Sequence, residues 1–208
     1  MANTSGSIYG LTILSPICRH SQGEMSHALQ IRQCLAELNR HQASPFAKVS
    51  CTHMARLVVL DDVVYVGMPA CEEHLKSQYL IFESNFDGDL DTYLDRMAKE
   101  AGQAVESVWK HCEGFPGAND LVAFKKYMKR CQVTTTFFFA GVNNKTVGQT
   151  LRALQTKNAF TAFMEENQGK QPEDLQKAFA NFWQKLSSTP PPEPGSPDIS
   201  SKAKGVTA

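Results

Sequence analysis

The residues best suited to chemistry lie where a β-type run stops. Tyr79–Ser84, YLIFES, gives way to Asn85-Phe86-Asp87-Gly88 and then to an acid-rich helical segment, DLDTYL. At the end of a strand, Asp87 could project into a pocket as an acid–base group. The same four residues also suit a plain connection. Gly88 can take a positive φ, Asp87 or Asp89 can cap the helix, and Asp89 and Asp91 favour the positive end of its dipole. His53 and Arg56 begin another strand, in THMAR. Three apart, they face opposite ways on an ideal strand, so a joint site needs a bulge or bend. His53 reads either as a hydrogen-bonded strand-end histidine or as an axial ligand or acid–base group facing a cavity. Arg56 is followed by apolar residues and needs a partner, which Asp87 or Glu83 could supply. That ion pair competes with a catalytic Arg–Asp pair. His111 closes a long helix, where a charged imidazole suits the dipole and where a haem ligand would have a rigid mount.

Other chemistries have less behind them. Cys18-Arg19-His20, Cys51-Thr52-His53 and Cys71-Glu72-Glu73-His74 lack the paired spacing of structural zinc sites. The six cysteines form no CxxC pair and are expected to be reduced, intracellular thiols in a core-rich chain. Lys plus Arg equals Asp plus Glu at 21 each, so no basic excess points to nucleic acid or an anionic membrane. Phe137, Phe138 and Phe139 are expected to pack rather than to stack on bases. No Walker loop, GxSxG, HExxH or dinucleotide fingerprint occurs. The N-terminal MANTSGSIYGLTILSPI has no basic start, and Ser15 and Pro16 interrupt a short apolar run. It predicts neither a signal peptide nor a membrane span, and hence a cytoplasmic protein.

The elements that must position these residues follow from periodicity. Strands are expected at Ser7–Ile17, Thr52–Leu60, Tyr79–Phe86 and, most clearly, Val133–Val142, VTTTFFFAGV. Helices are expected over 23–39, from Asp89 to about Cys112 with a break or kink at Gly102, and over Leu121–Cys131 behind an Asp120 cap. Two more follow at Thr146–Gln168 and Pro172–Leu186. The order predicts an α+β fold: a ferredoxin-like βαββαβ antiparallel sheet with an inserted helix and two extra C-terminal helices. It forms one domain, 1–186, followed by a disordered Pro/Ser-rich tail, 187–208, that reads as a linker, tether or docking peptide. Consecutive phenylalanines put apolar bulk on both sides of the last strand. The second sheet face is therefore expected to be covered by another subunit's sheet or by the C-terminal helices. Zero net charge offers little repulsion against a homodimer.

THMARLVVL, YLIFESNFDGDLDTYLD and WKHCEGFPG resemble segments of a bacterial family of small ferredoxin-like proteins, over roughly residues 7–142. At the level of fold the chain is similar to the dimeric α/β-barrel superfamily, which includes dye-decolourising peroxidases and chlorite dismutases. Those peroxidases carry a GxxDG turn. Here Ser84 stands in the first glycine's place, before Asn85-Phe86-Asp87-Gly88. The resemblance implies a haem-associated, peroxidase-like oxidoreductase, with His53 or His111 on iron and Asp87 and Arg56 assisting peroxide cleavage. The residues alone also allow a non-catalytic module that dimerises, binds a small apolar ligand or docks onto a partner enzyme.

Overall fold

The computed structural model describes residues 3–19, 25–38, 40, 44–63, 67–68 and 74–195. The chain divides after Asn144 into two compact units, where the sequence reading has one domain through Leu186.

The first unit is built on an antiparallel sheet. Its strands are β1 (Thr4–Ser5), β2 (Ile8–Pro16), β3 (Thr52–Leu60) and β4 (Tyr79–Asp87), in the spatial order β1-β2-β4-β3. The three long strands fall within a residue or so of their expected bounds because each is rich in β-branched, aromatic and other apolar residues and is closed by Pro, Asp or Gly. In register, Leu11 faces Ser84, Ile13 faces Phe82 and Leu57 faces Phe82. Side chains alternate faces along a strand. Leu11, Ile13, Phe82, Phe86 and Val59 therefore share one face and are buried with the helices. Those helices are α1 (His27–Leu38), α2 (Leu90–Glu100), α3 (Gly102–Trp109) and α4 (Leu121–Arg130). The expected long helix from Asp89 is two: the turn at Ala101, before Gly102, separates α2 from α3. Phe86 stacks on Tyr93 with ring centroids 3.7 Å apart, and Phe82 meets Trp109 edge-on at 5.4 Å. Several of the polar groups inside are paired: Ser84 and Tyr93 share a 2.8 Å hydrogen bond, and Trp109 Nε1 donates to Ser15 Oγ at 3.3 Å. Burial pushes the Tyr93 hydroxyl up to about 12.

The expected strand at Val133–Val142 is absent. The reason lies on the outer edge of β2, where three short segments divide the hydrogen bonds. Gly10 N–H donates to Asn3 C=O (2.8 Å). Val133 N–H donates to Thr12 C=O (2.9 Å), and Leu14 N–H to Cys131 C=O (2.8 Å). Glu113 N–H donates to Pro16 C=O (2.8 Å), and Cys18 N–H to His111 C=O (2.9 Å). Pro16 fits an edge because it offers only an acceptor. With β1 already on this edge, the segment after Val133 cannot pair along it. It is tied instead to the N-terminal turn: Ser7 N–H donates to Asn143 C=O (2.8 Å), Ala140 N–H to Ser5 Oγ (3.3 Å) and Thr135 N–H to Asn3 Oδ1 (3.3 Å). Gly6, at φ 60°, makes the turn that allows this, and an added Cβ there would meet Asn143 O at 2.2 Å.

The second unit contains an antiparallel helical hairpin, α5 (Val147–Glu166) and α6 (Pro172–Ser188). Thr146 and Gln149 form a reciprocal capping box at its start. Phe163 packs on Phe179 and Phe182, with centroids 5.9 and 4.8 Å away. Residues 196–208, most of the expected tail, lie outside the described residues.

Helix α2 is capped by Asp89 rather than Asp87: Asp89 Oδ1 accepts Thr92 N–H at 2.9 Å, and this bond holds its carboxyl below the ordinary carboxylate value. Asp89→Ala is expected to lose about 1 kcal/mol in urea unfolding, the usual worth of such a cap. A loss smaller than about 0.3 kcal/mol would contradict the cap.

Candidate functional site

The other face of the sheet carries the chemistry. Met54, Arg56 and Val58 of β3 lie beside Asn85, Glu83 and Ile81 of β4, with Gly10, Thr12 and Leu14 of β2 on the far side. Met54 is 61% exposed. The segment from Val133 to Asn143 crosses this face over β2. Phe138 lies on Gly10 so closely that a Cβ there would meet its ring carbons at 2.8 Å. Only a residue without a side chain lets the ring approach the strand in this way. The crossing leaves a cleft of about 400 Å³. Met54, Phe137 and Phe138 give it apolar walls, while Arg56, Glu83 and Asn85 supply polar groups. The expected alternation of Phe137, Phe138 and Phe139 across a buried strand does not hold. The segment is irregular, and Phe137 and Phe139 are exposed.

At the end of the strands, the bend that a joint site would need is present. The β3–β4 register shifts between Thr52 and Met54, the signature of a bulge. His53 Nε2 lies 2.8 Å from Asp87 Oδ1. Asp87 is held by its backbone, since its N–H donates to Cys51 C=O at 2.9 Å. Gly88 follows at φ 93°, donating to Ser7 C=O at 3.1 Å. Asn85-Phe86-Asp87-Gly88 is thus both a strand-to-helix connection and the support of a His–Asp pair. Arg56 pairs with Glu83, its cross-strand neighbour in the register, rather than with Asp87. Arg56 and Asp87 therefore form no ion pair with each other here. The Arg56–Glu83 pair lies at the surface, where such pairs contribute little stability.

Of the four expected site residues, His53 and Asp87 meet at the ends of β3 and β4, and Arg56 lines the cleft. His111 stands elsewhere, buried at the end of α3, with its Nδ1 3.0 Å from Nδ1 of His27. A contact between two ring nitrogens needs one to donate and one to accept. Burial, then the nearby Lys110 and His27, lower the pKa of His111. Among the described residues, no group of three or more His, Cys, Asp or Glu could hold a metal ion. The described cysteines, Cys18, Cys34, Cys51, Cys112 and Cys131, are free thiols; Cys71 lies outside the described residues. Burial pushes the Cys112 thiol up to about 12, which makes it a poor nucleophile.

Sequence reasoning missed Met54, Asn85 and Phe138 as cleft residues. The signal for Met54 and Asn85 was available, since both share a strand face with Arg56 and Glu83. Phe138 gave none, because its position depends on the crossing segment not being a strand. Comparison with known proteins adds no relative: no family model matches the chain, and no curated protein or solved structure matches it.

The burial of His111 generates a pH dependence. With its pKa lowered in the folded state, His111 takes up its proton more readily in the unfolded chain. Its contribution to stability is therefore full above the ordinary value of 6.5 and is lost as the pH falls below it. Urea unfolding free energy is expected to drop between about pH 7.5 and about pH 5.5, and His111→Gln should flatten that slope. An unchanged slope in the variant would contradict this assignment.

Proposed function

We propose that the first unit is a ferredoxin-like binding module whose open sheet face takes a small, partly apolar molecule bearing a polar or anionic group. The order of the long strands supports the ferredoxin-like reading: β2, β4 and β3 lie side by side, with α1 between the first two in sequence and α2–α3 after the third. The observation that carries the function is the cleft. Its volume of about 400 Å³ lies within the range of small-molecule sites, and such sites combine apolar walls with a few polar groups. Met54 and Phe137 offer flat, adaptable apolar contact. Arg56 and Asn85 can hold a carboxylate, sulfonate or amide, with Glu83 restraining the guanidinium.

A fluorescent aromatic sulfonate, anilinonaphthalene sulfonate, is a suitable probe. Saturable binding is expected, weakened about tenfold by Met54→Lys and by Phe137→Ser, a change of about 1.4 kcal/mol. Both side chains are exposed, so the fold should survive either change. Affinity unaltered in both variants would overturn the reading.

A second reading, acid–base or peroxidase-like chemistry, is favoured by the His53–Asp87 contact. Neither His53 nor His111 fits a haem ligand well. His53 Nε2 is committed to Asp87, and His111 is buried against His27. Titration with hemin is expected to give no stoichiometric Soret shift. A saturable shift abolished by His53→Ala or His111→Ala would favour the oxidoreductase instead.

A further inference from the structure

We infer that the α5–α6 hairpin is a self-association element, pairing with the hairpin of a second copy of this chain in antiparallel register to make a four-helix bundle. Three features of the hairpin lead there.

The first is incomplete burial. The stripe Leu175, Phe179, Phe182, Trp183 and Leu186 runs along α6 at helical spacing and meets Phe160 and Phe163 of α5. Two helices cannot enclose such a stripe by themselves. Trp183 remains 55% exposed, and Phe160, Phe179, Leu175 and Met164 are exposed beside it. Exposed aromatics gathered in this way mark an interaction surface.

The second is charge. The loop end carries Glu165, Glu166, Glu173 and Asp174, against Lys170 and Lys177. The open half carries Lys145, Arg152 and Lys185, with no carboxylate among 145–156 or 181–188. An antiparallel pair of hairpins lays the acidic loop end of each beside the basic open half of the other, whereas a parallel pair opposes like charges.

The third is position. Phe160 lies against Phe182, near the middle of the hairpin, and Phe179 and Trp183 flank that level with centroids 6.4 Å apart. A two-fold axis through this level brings the aromatic patch of one copy onto the same patch of the other, the self-complementary arrangement of a symmetric dimer.

Sedimentation equilibrium of the full chain across a concentration series tests the inference. A concentration-dependent dimer is expected, with its dissociation constant rising several-fold between low and high salt as the end charges are screened. Trp183→Glu should raise that constant at least tenfold with an unchanged far-ultraviolet circular dichroism spectrum. Met164→Glu, at an exposed position one turn from Phe160 on the same face of α5, should raise it independently, and keeps the test valid if the tryptophan variant unfolds. A chain that stays monomeric to about 0.5 mM, well above the range of specific association, overturns the inference. So does a dimer indifferent to Met164→Glu. In either case the patch serves a different partner.

Discussion

The outer edge of β2 can be hydrogen-bonded only once along its length, and that constraint organises the first unit. Asn3 with β1, Cys131 with Val133, and His111 with Glu113 each take a share. An edge left bare would invite pairing with another chain. An edge filled by three short pieces is closed, but no single long strand lies along it. The chain beyond Val133 must therefore leave the sheet plane, and it leaves across the face opposite helices α1–α4 of the same unit. The cleft between that segment and β3–β4 is a consequence of how the edge is shared.

The two faces of the sheet then have different physical characters. On the helix side, the rings of Phe82, Phe86, Tyr93, Trp109 and Phe124 are enclosed, and the polar groups of Ser15, Ser84 and Tyr93 find partners among themselves and Trp109. That face supplies the rigidity. The other face keeps Met54, Val58 and Phe137 in contact with solvent beside the charged Arg56 and Glu83. Apolar surface is held there at a cost in folding free energy, which is the usual condition of a binding surface. The bulge at His53 belongs to the same design, since it turns one side chain of β3 toward Asp87 without disturbing the register from Met54 onward.

Much of this was legible in the sequence. Periodicity located β2, β3, β4 and the α-helices, with α2 and α3 read as one helix broken or kinked at Gly102, because each is a local pattern reinforced by caps such as Asp120; the short 3-10 turn of helix at Pro45–Lys48 was not legible. The sequence also singled out Asp87, His53 and Arg56, since charged residues at strand ends need partners. It could not choose between Glu83 and Asp87 for Arg56. That choice is made by the β3–β4 register, a long-range property. It assigned a strand to VTTTFFFAGV because β propensity there is high. The override is tertiary: Asn3 and Ser5, more than 120 residues away, occupy the edge that strand would have needed. His27 as the partner of His111 was illegible for the same reason, as the two meet only when α1 packs beside α3.

The sharpest test is amide hydrogen exchange, resolved by residue, across 131–143. The amides of Val133 and Ala140, bonded to Thr12 C=O and Ser5 Oγ, should be protected, while those of Phe137 and Phe139 exchange at near the rate of an open chain. Regularly alternating protection from Val133 through Val142 would mean that the segment is a fourth long strand along β2, and the cleft on the open face would lose its wall.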